Sequence, residues 1–256
     1  MFRGINMAFA IIVFVQSVHA QTSADSATIT HRIGILSGFS WVAFQDQGIS
    51  RDVFKSGAVP MDQNYGLSFS SAGTATAFRF ELYWIECRLG SPALFQDDTY
   101  SKLLDISGCV NRRVLGLFKN AVTVSLSGAL HTVYSEYYTP NSVDVCMVKC
   151  LTSLEAGLSA EATAFRRHRV SASVHLPIVT GLLYTRNISY FSSIGRQIGA
   201  INQLTVLDAE AAYEWAVFPL WNIRLAYLFT FQNYMADKDR VQSGIERLCL
   251  ELLFKI

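Results

Sequence analysis

Apolar and polar residues alternate along most of the chain, and this period of two predicts β-strands with two different faces. In the final segment, Leu250 and Leu252 share one face, while Arg247 and Glu251 share the other. Such segments recur about ten times. They are Thr28–Phe44, Tyr65–Ser71, Ala75–Leu89, Asn111–Phe118, Ala121–Tyr137, Val148–Phe165, His168–Tyr184, Leu204–Val217, Asn222–Met235 and Val241–Ile256. The pattern predicts an all-β chain, and the strand count lies between about eight and twelve.

The connections between these segments alternate between short and long. Short turns fall at residues 72–74, 119–120, 166–167 and 218–221, and longer segments at 45–64, 90–110, 138–147, 185–203 and 236–240. Turns on one side and loops on the other are typical of antiparallel barrels of the outer membrane. An even strand number would also bring both chain ends to the side of the short turns. We therefore expect a closed antiparallel transmembrane β-barrel, with the long loops facing outward and available to a binding partner.

A soluble exported sandwich or a lipocalin-like binder would also alternate, so further features must separate the two fold classes. Many of the segments are far longer than the ~5–6 residues usual for sandwich strands. Aromatic residues gather near the predicted strand ends, as in the girdles that lie at a membrane interface. They are Trp41, Phe44, Trp84, Tyr134, Phe165, Tyr184, Trp215, Phe218, Trp221 and Tyr234. These features favour the membrane barrel.

The first 20 residues resemble an export signal. Arg3 supplies a positive charge, Met7–Val15 is apolar, and Ala20 offers a small residue before a cleavage point at Gln21. An apolar run of this length is too short for a membrane-spanning helix, which needs ~20 residues. The sequence thus predicts a cleaved signal peptide at residues 1–20 and one barrel domain at residues 21–256.

Composition agrees with a wall that faces lipid. Hydrophobic residues make up 51% of the chain and charged residues 16%, and the mean hydropathy is +0.26. The mature chain has no excess of basic side chains, so neither nucleic acid nor an anionic membrane surface is indicated as a partner. We expect outer-membrane lipid to be the main partner.

Strand parity places a set of charged side chains on the inner face of the barrel. They are Arg79, Glu81, His131, Glu155, Glu161, Arg169, His175, Asp208, Glu210, Glu214, Arg224, Arg247 and Glu251, and Arg32 on the first strand joins them. Small barrels are largely filled by side chains, so one interpretation is an internal network of ion pairs. The other is a narrow pore lined by these charges.

An enzymatic interpretation is weaker. Ser127, His131 and Glu155 fall on neighbouring strands and offer the side-chain types of a hydrolase or acyltransferase, but a barrel lined with Ser and charges produces such trios by chance. The pattern favours a structural or porin-like barrel that is not an enzyme. We predict no cofactor and no metal, since Cys146 and Cys150 have no nearby His ligands.

The five cysteines allow disulfides in an exported protein. Cys87 and Cys109 lie at the two ends of a predicted loop and form the more plausible pair. The alternative is that all the cysteines are small apolar fillers.

The signal peptide, the alternating strands and the apolar last strand together resemble the superfamily of small OmpA-like or PorT-like bacterial outer-membrane β-barrels. The resemblance covers the whole mature chain. It implies that the last strand is the signal read by the barrel-assembly machinery during biogenesis, through Leu248, Leu250, Leu252, Phe254 and Ile256. The last residue is Ile, whereas the family usually ends in an aromatic residue.

Overall fold

The computed structural model describes residues 29–46, 53–56, 62–90, 99–118, 121–138, 145–164, 167–188, 191–199, 205–236 and 239–256. These residues form twelve strands. They are β1 (Thr30–Asp46), β2 (Phe54–Ser56), β3 (Asp62–Ala72), β4 (Thr76–Gly90), β5 (Thr99–Leu117), β6 (Val122–Tyr138), β7 (Val145–Ala164), β8 (His168–Ile188), β9 (Phe191–Gly199), β10 (Thr205–Phe218), β11 (Trp221–Ala236) and β12 (Asp239–Lys255). The predicted signal peptide at residues 1–20 lies outside the described residues.

The strands close into one antiparallel barrel. The last strand, β12, pairs with β1 from Lys255 opposite Arg32 to Val241 opposite Asp46. β2 continues β3 between β1 and β4, and β9 continues β10 beside β8. The wall therefore has ten strand positions, two of which are interrupted. Because closure leaves no unpaired edge, this architecture can satisfy every backbone hydrogen bond inside a bilayer.

Most predicted strands are present within a few residues of their expected ends. The fourth is the main correction: β5 begins at Thr99 rather than at residue 111, so most of the predicted loop at 90–110 is strand. The start of β5 does not show the usual pattern of apolar residues outside and polar residues inside, because the polar Lys102 faces outward and the apolar Leu103 faces inward. The expected long segments are correspondingly shorter, since β9 lies within 185–203 and β2 within 45–64.

The outer face carries the apolar row of each strand. Its exposed members include Ile35, Leu67, Leu126, Leu130, Leu154, Leu158, Val174, Leu176, Leu225 and Leu250. Near the loop end of the barrel, outward aromatic residues lie next to polar ones: Tyr134 donates a hydrogen bond to Glu136, and Tyr65 donates one to Gln63. At the turn end, the Phe218 and Trp221 rings stack with centroids 4.9 Å apart.

The height of this apolar band fits a bilayer. On β6, the stretch from Val122 to Tyr134 spans about 28 Å along the barrel axis at the usual rise and tilt of membrane strands. Outer-membrane barrels show an apolar band of ~25 Å between two aromatic girdles. No helix long and apolar enough to cross a membrane occurs among the described residues.

Three of the predicted girdle aromatics are inside the barrel instead. Phe44, Tyr184 and Tyr234 are buried in the interior, whereas Trp84 and Trp215 are exposed. Tyr184 faces inward because a β-bulge shifts the register of β7 and β8 beside Pro177. The bulge turns both Ile178 and Val179 outward and reverses the parity of the strand beyond them.

The larger of the two buried apolar clusters among the described residues lies in the loop-end half of the barrel interior. We call this group the apolar plug; it consists of Val42, Phe44, Ile85, Cys87, Leu103, Val133, Tyr137, Met147, Leu151, Leu182, Tyr184, Val206, Tyr234, Val241 and Ile245. These side chains project from β1, from each of β4 to β8, and from each of β10 to β12. The interior is therefore divided: apolar side chains pack against one another in its loop-end half, and polar residues line most of its turn-end half.

Candidate functional site

A cavity of about 380 Å³ occupies the turn-end half of the lumen. Its wall includes the β3–β4 turn at residues 73–75, so it opens at the end where the short turns lie. The predicted lumen residues that line it are Arg79, Glu81, His131, Glu155, Glu161, Arg169, His175, Asp208, Glu210, Glu214, Arg224 and Arg247, together with Arg32. Glu251 is fully buried behind this wall and is ion-paired to it.

The charges form two buried clusters and two outer pairs. The first cluster, called here the arginine–glutamate belt, comprises Arg79, Glu81, Glu210, Arg224 and Glu251. Arg79 contacts Glu81 at 2.6 Å and Glu251 at 2.7 Å. Arg224 contacts Glu251 at 3.0 Å and also binds Glu210. Two guanidinium groups thus satisfy three carboxylates, which is how buried charges are tolerated in a confined space.

The belt depends on a glycine in β1. A Cβ at Gly34 would overlap the Ser68 hydroxyl and the Glu251 carboxylate, which are hydrogen-bonded to each other. Glycine therefore lets Glu251 lie flat across the strand and reach the two arginines.

The outer pairs lie nearer the turn end. Arg32 contacts Glu214 at 2.7 Å, and Arg169 contacts Glu161 at 3.2 Å. The side chains of Arg169 and Glu161 are 37% and 40% exposed, so water weakens their interaction.

The second cluster, called here the histidine cluster, comprises Asp105, His131, Glu155, Asp208 and Arg247. His131 is clamped from both sides: its Nε2 lies 2.7 Å from Asp105, and its Nδ1 lies 2.7 Å from Asp208. Glu155 approaches Nδ1 at 3.4 Å. Arg247 holds the other oxygen of Asp105 at 2.6 Å. Three carboxylates therefore face one imidazole and one guanidinium.

His175 and Cys109 border the histidine cluster on the cavity wall. The Cys109 sulfur lies 3.7 Å from His175 Nε2, and His175 is the cross-strand partner of Asp208. A Cβ at Gly157 would overlap the His175 ring, so glycine at this position lets the imidazole lie against β7. Five strands thus bring nitrogen, oxygen and sulfur donors to one part of the cavity.

A buried lysine sits inside the apolar plug. Lys149 Nζ donates hydrogen bonds to Gln232 at 2.9 Å and to Ser243 at 3.1 Å. The rings of Phe44, Tyr137 and Tyr234 surround the ammonium group with centroids 5.3–6.0 Å away. Cation–π contacts of this kind stabilise a desolvated cation, so Lys149 can belong to an otherwise apolar layer.

The structure brings together only part of the suggested catalytic trio. His131 and Glu155 are neighbours, but the Ser127 hydroxyl is buried and makes no hydrogen bond with any described residue. Each ring nitrogen of His131 already lies 2.7 Å from a carboxylate oxygen, Nε2 from Asp105 and Nδ1 from Asp208. Neither nitrogen is then available to accept a proton from a serine.

The predicted disulfide between Cys87 and Cys109 is wrong. Cys87 lies opposite Ser101 in the β4–β5 ladder, while Cys109 lies opposite Arg79. The two cysteines are thus about 26 Å apart along the strands, far beyond disulfide range. Neither sulfur is in a disulfide. The prediction assumed a loop between them, and β5 replaces that loop.

Sequence reasoning missed Asp105 and Lys149. Asp105 fell in the predicted loop at 90–110, so no parity was assigned to it. Lys149 lies near the expected start of its strand, between the inward Met147 and Leu151. The sequence does contain one indication for Asp105: Leu103, Asp105 and Ser107 are spaced by two residues, so in a strand they share one face.

The apolar row of the last strand lies on the outer face, as expected. Leu248, Leu250, Phe254 and Ile256 are exposed on the outer face, and Leu252 is half-buried between neighbouring strands. The role of this strand in assembly stays a prediction.

Comparison with known proteins identifies the fold. No protein-family model matches the chain, and no curated protein sequence matches it. Among solved structures, the outer-membrane protease OmpT from Escherichia coli matches with a TM-score of 0.63 at 6% identity, over 91% of this chain and 99% of that one. The chain therefore has an outer-membrane β-barrel fold.

Other outer-membrane proteins match with lower scores. The translocator domain of the autotransporter NalP from Neisseria meningitidis has a TM-score of 0.46 at 7% identity, with 99% and 98% of the two chains covered. OprG from Pseudomonas aeruginosa has a TM-score of 0.36 at 11% identity, with 89% and 98% covered.

Proposed function

We propose that the protein is a non-enzymatic barrel of the bacterial outer membrane, with a lumen closed in its loop-end half and a polar cavity open towards the periplasm. The outer apolar band and its aromatic girdles support the location. By the usual orientation of such barrels, the short turns, the start of β1 and the end of β12 face the periplasm. The loops would then face outward, where they can bind a partner.

The observation that carries this proposal is the division of the interior. The apolar plug fills the loop-end half with large side chains such as Leu103, Met147 and Leu151, each no more than 1% exposed. Below it, the histidine cluster and the arginine–glutamate belt cross-link the wall through ion pairs. Ion pairs across the cavity wall stiffen the barrel, and the packed plug above the cavity leaves no continuous path for solute.

The likeness to a protease does not change this proposal. At 6% identity the match to OmpT extends to the fold alone. Within this chain, the carboxylates on both sides of His131 and the separation of Ser127 from that ring favour a structural role for the cluster. Assignment to the OmpA-like or PorT-like group stays a prediction.

Conductance in planar lipid bilayers tests the closed lumen. The folded protein should insert without producing unitary current steps. Replacing Phe44, Tyr137 and Tyr234 together with alanine removes the rings around Lys149, so water should enter the plug and the variant should conduct.

The matched control removes aromatic rings from the outer face. The triple replacement of Tyr65, Trp84 and Tyr134 with alanine should leave the barrel closed, because these rings lie outside the lumen. Steady conductance by the unmodified protein would overturn the closed-lumen proposal. Hydrolysis of a lipid or peptide that is lost in His131→Gln would favour the enzyme instead.

A further inference from the structure

The histidine cluster has the donor set of a metal site as well as that of an ion-pair network. His131 Nδ1, a Glu155 oxygen and an Asp208 oxygen all lie within 4.8 Å of one another. Donor atoms around a tetrahedral zinc ion are about 3.3 Å apart, given metal–ligand distances of ~2.0–2.1 Å. Small rotations of the two carboxylates would therefore close this triangle around an ion.

A second observation concerns the orientation of the His131 ring. Metal-bound histidines usually donate their other ring N–H to a carboxylate, which fixes the ring and its tautomer. Asp105 accepts from His131 Nε2 at 2.7 Å, and Arg247 in turn holds Asp105 at 2.6 Å. Nδ1 is consequently directed at Glu155 and Asp208. Asp105 and Arg247 therefore already hold the imidazole in the orientation that metal binding requires.

Electrostatics favours a divalent cation at this position. Without an ion the cluster has an excess of negative charge, since its three carboxylates outnumber the two positive charges of Arg247 and a protonated His131. When a divalent ion takes the place of the Nδ1 proton, the charges of the ion, Arg247 and the three carboxylates cancel. In addition, Asp208 Oδ1 is buried and accepts no hydrogen bond from the described residues, so it remains available to a ligand.

The surroundings indicate which kind of ion fits. His175 and Cys109 border the same part of the cavity and can add imidazole or thiolate coordination. Nitrogen and sulfur donors select borderline and soft transition metals, whereas Mg²⁺ and Ca²⁺ prefer oxygen ligands alone. The cavity reaches the cluster from the turn end, which provides an entry path.

From these observations we propose that His131, Glu155 and Asp208 bind a divalent transition-metal ion such as Zn²⁺, which enters from the periplasmic end of the lumen. His175 is the fourth ligand or lies directly beside it, and Asp105 positions His131. The site does not depend on whether the barrel conducts. The sequence predicted no metal because its ligands come from separate strands and form no spacing motif.

The test uses the full folded chain in detergent micelles with Zn²⁺ as the probe. Calorimetric titration should show one strong site per chain, and Mg²⁺ should bind far more weakly. Asp208→Asn and Glu155→Gln each keep the side-chain size but remove a charged ligand, so each should weaken Zn²⁺ binding by at least about 10-fold. Heat-modifiable migration on gels would verify that both variants remain folded.

Glu161→Gln provides the matched control. Glu161 lies in the same cavity but pairs with Arg169 rather than with the histidine cluster, so its replacement should leave Zn²⁺ affinity unchanged. Titration with Co²⁺ adds a spectroscopic readout: visible d–d bands should appear, and they should change in His175→Ala if His175 is a ligand.

Two results would overturn the metal site. One is the absence of Zn²⁺ binding by the folded, unmodified chain. The other is the wrong pattern of losses: Zn²⁺ binding persists in both Asp208→Asn and Glu155→Gln, or it falls equally in Glu161→Gln. In either case the ion would be held elsewhere.

Discussion

Replacing Arg224 with methionine should cost about 3–5 kcal/mol of unfolding free energy, because it leaves buried carboxylates without their partner. Arg224 is 3% exposed and contacts Glu251 and Glu210 directly, with Glu81 at 3.9 Å. Methionine retains the apolar stem and removes only the guanidinium. Arg79 would then face three carboxylates alone. Urea unfolding in phospholipid vesicles, followed by tryptophan fluorescence, measures the loss.

The matched control is Arg169→Met. Arg169 also pairs with a glutamate, Glu161, but both side chains are more than a third exposed at the mouth of the cavity. Exposed pairs of this kind contribute ~0–1 kcal/mol, so this variant should be nearly as stable as the parent. Adding Glu210→Gln to Arg224→Met should recover part of the loss, since one orphaned charge is neutralised. Equal effects of the two arginine variants would contradict a buried, water-excluded belt.

Placing an arginine on the outer face in the middle of the apolar band should destabilise the folded protein by about 2–4 kcal/mol. Leu130 is 44% exposed on β6, between the two ends of the band at Val122 and Tyr134. In a bilayer, Leu130→Arg would force a charge into hydrocarbon. The measurement is the urea midpoint of the protein folded in vesicles, with the slope of the transition compared between variants.

Leu220→Arg distinguishes a lipid-facing wall from an ordinary exposed surface. Leu220 is 69% exposed in the turn between β10 and β11, beyond the apolar band, so its replacement should change stability by no more than ~0.5 kcal/mol. In a soluble barrel both leucines would tolerate arginine equally well. A small effect at Leu130 would therefore mean that this face does not meet lipid.

The two predictions concern opposite faces of the barrel wall: Arg224 on β11 faces inward, and Leu130 on β6 faces outward. On the outside the cost arises from adding a charge, and on the inside it arises from removing one. This contrast follows from the surroundings expected on each side: hydrocarbon outside cannot solvate an ion, and a narrow lumen can hold buried ions only when they are paired.

Much of this arrangement follows from the amino-acid sequence alone. Successive side chains of a strand point to opposite faces, so the alternation of Leu250 with Glu251, or of Val174 with His175, assigns each residue to the wall or the lumen. The turn positions then set the strand number. Both inferences depend only on local covalent geometry, and for that reason they place strands such as β6, β10 and β12 within one or two residues.

Only the tertiary structure decided which inward residues meet. The alternation along each strand places His131, Glu155 and Asp208 in the lumen, but it does not give their heights along the barrel axis. Those heights depend on the stagger between neighbouring strands and on closure of the whole barrel. The bulge beside Pro177 and the glycines at 34 and 157 also act through contacts with other strands. Pattern determined the two faces of the wall, because a face is a local property. The register between strands determined which side chains form the apolar plug and the histidine cluster. Side chains from distant strands come into contact only when every strand between them is in place.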